Sequence, residues 1–178
     1  YTVGTVKAVD LPGGQSRRYV SVDGGMSDNI RPALYAAEYS AVLANRSSSA
    51  EPVLSRVVGL HCEGGDILVR DVFLPGDLEA GDVLAVPASG AYSRSMASNY
   101  NHTPRPPVVS VLDGTLATLI RRETLDDILA LDAGLNRQDS DGIMMTSPDA
   151  PVRVALLGYG VVGSQVARIL LDNSEELR

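Results

Sequence analysis

The sequence has one cysteine, Cys62, so no internal disulfide can be drawn within it. It has no tryptophan, a single phenylalanine and one lysine, Lys7; every other basic residue is arginine. Its longest apolar runs, such as residues 152–157, fall far short of the roughly 20 apolar residues of a membrane span. Positive charge is scarce as well. The formal net charge is -7, and the chain lacks the clustered Lys and Arg that release counterions from a phosphate backbone. Neither nucleic acid nor a membrane is expected as a partner. The two histidines, His61 and His102, stand far from any acidic cluster and have no second cysteine to join them, so no metal site is expected. No charged leader followed by an apolar stretch opens the sequence, which makes the cytoplasm the expected compartment. Because it starts at Tyr1 and stops inside a helix-like stretch, both ends are expected to be cut.

What is present is enough for one domain and a little more: 178 residues, of which 44% are hydrophobic and can bury a core. Over residues 1–132 the pattern is mainly β. Short β-branched runs at 2–9, 19–22, 53–60, 67–73, 83–85, 108–112 and 115–120 alternate with Gly, Pro, Asp and Ser clusters. Asp113-Gly114 between two apolar runs is a hairpin signal. A β-barrel or sandwich is expected. Two short helices interrupt it, over 28–39 with Ile30, Leu34 and Ala37 on one face, and over 124–131 with Leu125, Ile128 and Leu129 facing the core. Residues 133–150 are polar, without apolar period, and read as a linker. From 151 to 178 the pattern becomes an apolar run, the glycines Gly158, Gly160 and Gly163, and an amphipathic stretch: an incomplete Rossmann strand, loop and helix.

Several residues could carry chemistry. Arg31 and Tyr35, four apart, would share a helix face suited to a carboxylate, although the same spacing fits a surface arginine beside a half-buried tyrosine. Cys62 precedes Glu63 and a glycine-rich turn; a lone cysteine is also commonly a small buried hydrophobe. In Gly90-Ala91-Tyr92, two small residues let the backbone come close to a ligand, and a packed barrel tyrosine is the alternative.

Four blocks in order carry a family resemblance: Asp23-Gly24-Gly25-Met26 with Arg31-Pro32-Ala33-Leu34-Tyr35; His61-Cys62-Glu63-Gly64-Gly65-Asp66; Gly90-Ala91-Tyr92; and Asn99-Tyr100-Asn101 with Pro104-Arg105-Pro106. Over residues 1–131 the chain resembles the C-terminal part of the diaminopimelate decarboxylases, fold-type III pyridoxal-phosphate enzymes of lysine biosynthesis. The resemblance implies that Arg31 and Tyr35 grip the distal carboxylate of an amino-acid substrate and that Glu63 binds its distal ammonium. It implies that Cys62 protonates the carbon that loses carbon dioxide, and that Tyr92 contacts pyridoxal phosphate. It further implies a homodimer whose sites are shared across subunits. Gly64 departs from the Ser or Thr usual in the family, so one hydroxyl that could order the loop is missing. Asp66 is read as structural.

The lysine that bonds the cofactor belongs, in that family, to an N-terminal (β/α)8 barrel, and Lys7 lies outside the matching motif. The fragment alone is therefore expected to be inactive. The tail resembles the start of a homoserine dehydrogenase, with NAD(P) implied only if that domain were complete; the acidic residue about 20 positions on would fall beyond Arg178. Two other readings remain: a dehydrogenase carrying a β remnant or a fusion of the two, and a non-catalytic β module for dimer contacts.

Overall fold

The computed structural model describes residues 1–132 and 160–172. The linker expected over 133–150, the strand expected over 152–157 and Gly158 lie outside the described residues. The chain divides into two compact units, Tyr1–Ala133 and Gly134–Arg178.

In the first unit, β1 (Val3–Leu11) and β2 (Gln15–Val22) form an antiparallel hairpin. β2 then pairs in parallel with β4 (Pro52–Val58), which pairs antiparallel with β5 (Ile67–Pro75), giving a four-stranded sheet in the order β1-β2-β4-β5. The parallel step forces residues 23–51 to cross over the sheet. On that crossover lie α1 (Arg31–Tyr35) and β3 (Val42–Leu43), the latter paired with β6 (Leu84–Ala85). After α2 (Gly90–Met96) and a 3-10 turn at Tyr100–His102 come the hairpin of β7 (Val108–Leu112) and β8 (Thr115–Ile120) and the helix α3 (Leu125–Leu129). Asp113 (φ 48) and Gly114 (φ 74) supply the two positive φ angles that a two-residue hairpin turn requires.

The core follows from strand alternation. Val20 and Val22 of β2, Val57 of β4, and Leu68, Val69 and Leu74 of β5 are buried together with Val3, Ala41, Leu78 and Leu84. Burying each such side chain contributes roughly 1.5–3 kcal/mol. Arg18, on the same face of β2, is buried too, and its guanidinium donates to the carbonyls of Leu74, Pro75 and Gly76 at 3.0, 2.8 and 3.0 Å. It satisfies carbonyls at the end of β5.

Among the described residues the strands form one sheet of four and two of two, a mainly β unit as expected. Two expectations need correction. The helix expected over 28–39 is only Arg31–Tyr35, because Ala36 turns left-handed (φ 52) and ends it; Leu34 is 57% exposed instead of facing the core. In α3, Thr124 and Asp127 form a reciprocal cap, yet Leu125 (62%) and Leu129 (48%) are exposed, so this helix does not close the core.

In the second unit, α4 (Val161–Asp172) begins directly after Gly160 and carries Gly163 in its first turn. An Arg168–Asp172 ion pair at 3.5 Å spans one turn on its surface.

Candidate active site

The site grows from the loops that leave one end of the four-stranded sheet. Gly24 and Gly25 follow β2, while Gly59 to Asp66 link β4 to β5, and the two segments touch where Leu60 N–H donates to the Gly24 carbonyl at 3.0 Å. Asp66, buried, fastens them. Its Oδ1 accepts from Met26 N–H at 2.6 Å, and its Oδ2 accepts from His61 N–H at 2.7 Å. The two glycines leave room for this carboxylate: a Cβ at Gly25 would lie 2.8 Å from Asp66 Oδ2, and one at Gly59 would overlap it outright. The expectation that Asp66 is structural agrees with this geometry.

His61, also buried, pairs through Nε2 with Ser27 Oγ at 2.9 Å and meets the ring of Tyr100 edge-on, with centroids 5.2 Å apart. Of the next two side chains, Cys62 faces solvent and Glu63 is half-buried. Cys62 is exposed, which removes the buried-hydrophobe alternative, and its Sγ lies 3.7 Å from Glu63 Oε1. The Tyr100 hydroxyl donates to that same oxygen at 2.7 Å. This bond is the main reason the Glu63 carboxyl is held below the usual glutamate range, with Cys62 and the Asn101 side chain adding to it, and it raises the Tyr100 phenol in turn. Glu63 Oε2 is shielded from solvent and has no hydrogen-bond partner among the described residues.

A second cluster forms between α1 and α2. Pro32 suits the first turn of α1, and Arg31, at its first position, lays its guanidinium over the Tyr92 ring, 4.9 Å from the centroid. Tyr35 shares the helix with Arg31, but among the described residues no side-chain hydrogen bond joins them. Tyr35 and Tyr92 are 63% and 56% exposed, so neither is a packed barrel tyrosine, and Tyr92 sits on a helix that the glycine-alanine pair did not signal. Arg31 and Tyr92 thus come together, as do Cys62 and Glu63.

Sequence reasoning missed Tyr100 as a member of the site and missed the clasp behind it. Glu123 accepts from the Asn99 amide at 2.6 Å, from Arg105 N–H at 2.8 Å and from the Arg105 guanidinium at 2.7 Å. The Asn99-Tyr100-Asn101 block was the available signal; its partner Glu123 carried none. Lys7 is exposed on β1, opposite Tyr19 of β2.

Residues 1–90 match the family model for the pyridoxal-dependent decarboxylase C-terminal sheet domain. The chain belongs to the pyridoxal-dependent decarboxylases. Within them it is similar to the diaminopimelate decarboxylase of Mycobacterium bovis, 56% identical over 132 residues that make up 74% of this chain and 30% of that protein. The Bacillus subtilis enzyme is 52% identical, again over 74% of this chain and 29% of the relative. Among solved structures, the Helicobacter pylori diaminopimelate decarboxylase complexed with L-lysine matches with a TM-score of 0.60 and 34% identity, over 73% of this chain and 30% of that one. The chain spans about 30% of the length of these decarboxylases. Among the described residues no helix is long and apolar enough to cross a membrane, and no cluster of side chains could hold a metal ion.

Proposed function

We propose that this chain is the sheet-domain share of a diaminopimelate decarboxylase, which converts meso-diaminopimelate to L-lysine and carbon dioxide. The observation that carries this reading is the exposed Cys62 thiol beside the half-buried Glu63 carboxylate, on a loop tied down by the hydrogen bonds of Asp66 and His61. Such a pair has little use in a module that merely makes contacts.

Each side chain has a task that its surroundings suit. Glu63, ionised and with one oxygen free of protein partners, receives the distal ammonium of the substrate. Arg31, its charge braced against the Tyr92 ring, takes the distal carboxylate, with the Tyr35 phenol near the end of the same helix. Cys62 holds a proton at Sγ within reach of solvent and donates it to the carbon that has lost carbon dioxide. Pyridoxal phosphate, when bound, supplies the electron sink that makes decarboxylation feasible. Tyr92, an exposed phenol, fits a side contact to that cofactor; Lys7 on β1 is no anchor for it. The remainder of the site belongs to a (β/α)8 barrel outside this chain, and the domain works in a homodimer that completes each site across the interface. For the tail, the start of a homoserine-dehydrogenase-like nucleotide-binding domain stays a reading from sequence, supported by a helix that opens directly after Gly160.

The test is turnover in a reconstructed full-length enzyme. Cys62→Ala should fold normally and lose about 100- to 10,000-fold in kcat, the usual scale of general acid catalysis. Unchanged carbon dioxide release from meso-diaminopimelate would remove Cys62 from the mechanism.

A further inference from the structure

From the placement of Tyr100 between two loops, we infer that it is a positioning residue for Glu63: its hydroxyl fixes Oε1 beside the Cys62 thiol and leaves Oε2 as the acceptor for an ammonium group. The inference rests on the reading of Glu63 as the ammonium partner. The geometry is a relay of fixed groups. Asp66 holds the His61 main chain, Ser27 holds the His61 ring, and that ring meets Tyr100 edge-on at an interplanar angle of 80°. Tyr100 is held from its other side as well, because Asn101 (φ 52) and His102 (φ 57) turn left-handed and Ser98 N–H donates to the Ser27 carbonyl at 3.0 Å. A phenol has one proton to donate, and here it goes to Glu63 Oε1 at 2.7 Å.

A glutamate at the tip of an exposed loop would otherwise sample several rotamers, and ordering it on substrate binding costs entropy. Tyr100 removes that cost beforehand. Because the hydroxyl bonds to the charged form, it also favours the ionised carboxylate that an ammonium needs. Among the described residues, the titratable groups facing Glu63 are Tyr100 and Cys62, together with the Asn101 amide.

The experiment follows the Glu63 side-chain carboxyl by 13C NMR through an acid titration of the 178-residue chain, with Glu63→Gln identifying the signal. In the unaltered chain Glu63 should titrate below the ordinary glutamate value. Tyr100→Phe, which keeps the ring against His61, should raise its midpoint while the other glutamates hold theirs. A Glu63 midpoint at the ordinary value, or one indifferent to Tyr100→Phe, overturns the inference. If the variant fails to fold, the titration of the unaltered chain decides alone. In the reconstructed full-length enzyme, Tyr100→Phe should raise KM about 10-fold, on the scale of a hydrogen bond to a charged group, and change kcat less than about 2-fold. A loss confined to kcat also overturns it. Glu63→Gln separates the two claims. Should that variant leave KM unchanged while the carboxyl still answers to Tyr100, the positioning stands and the ammonium reading fails.

Discussion

Asp66 and Met26 lie 40 residues apart in sequence, and the Asp66 carboxylate accepts the Met26 main-chain N–H at 2.6 Å. That bond, with its twin to His61, joins the loop leaving β2 to the loop leaving β4. The first loop leads to Arg31, the second to Cys62 and Glu63. One buried carboxylate thereby sets the base of both loops of the candidate site.

Replacing it should be costly. Asp66→Ala leaves the buried His61 N–H and the half-buried Met26 N–H without partners, a loss of about 2–4 kcal/mol at the usual penalty for unsatisfied donors. Urea unfolding of the chain should show a lower midpoint at an unchanged slope. Gly59→Ala should act in the same direction, since its methyl group would displace the same carboxylate.

Glu123 gives the clasp behind Tyr100 a pH dependence. The Arg105 main-chain N–H is the largest influence, and with the Asn99 amide and the Arg105 side chain it lowers the Glu123 carboxyl to about 2, against a smaller opposing effect of burial. A folded value below the unfolded value of 4.5 means stability that is complete above about pH 4.5 and lost as pH falls toward 2. Glu123→Gln should therefore be less stable than the parent at pH 7, and the difference in Tm should shrink between pH 4.5 and 2. A constant difference across that window would show that the charge is not what matters.

The chain alone should release no carbon dioxide from meso-diaminopimelate when pyridoxal phosphate is added. Any absorbance change of the cofactor should match that seen with Lys7→Arg. Turnover by the isolated chain, abolished in that variant, would make Lys7 a cofactor anchor after all.

How much of this could be read from the residues depended on length scale. β4, β5, β7 and β8 announced themselves as β-branched runs bounded by Gly, Pro and Asp, and Asp113-Gly114 fixed its hairpin. β3 is two residues long and exists because β6 pairs with it, a long-range fact with no local signal. α1 looked longer because apolar spacing continues past Tyr35, while the left-handed turn at Ala36 is not encoded by any glycine or asparagine. The exposed leucines of α3 and of β8 followed the helical and strand patterns of buried elements, and periodicity alone does not tell what lies opposite. Ordered motifs pointed to Cys62, Glu63, Arg31, Tyr35 and Tyr92 as candidates, and the fold brings Cys62 to Glu63 and Arg31 to Tyr92. The Tyr100 to Glu63 bond spans 37 residues and two loops, and only folding brings its ends together.

Cys62 is proposed to serve a site completed by a neighbouring subunit. Two full-length chains test it most directly, one carrying Cys62→Ala and the other lacking the barrel lysine, each inactive alone. Mixed and reassembled, they should recover part of the parental carbon dioxide release, because each mixed dimer would hold one site with both groups intact. Mixed dimers that form, as shown by mass, yet release no carbon dioxide would contradict the account.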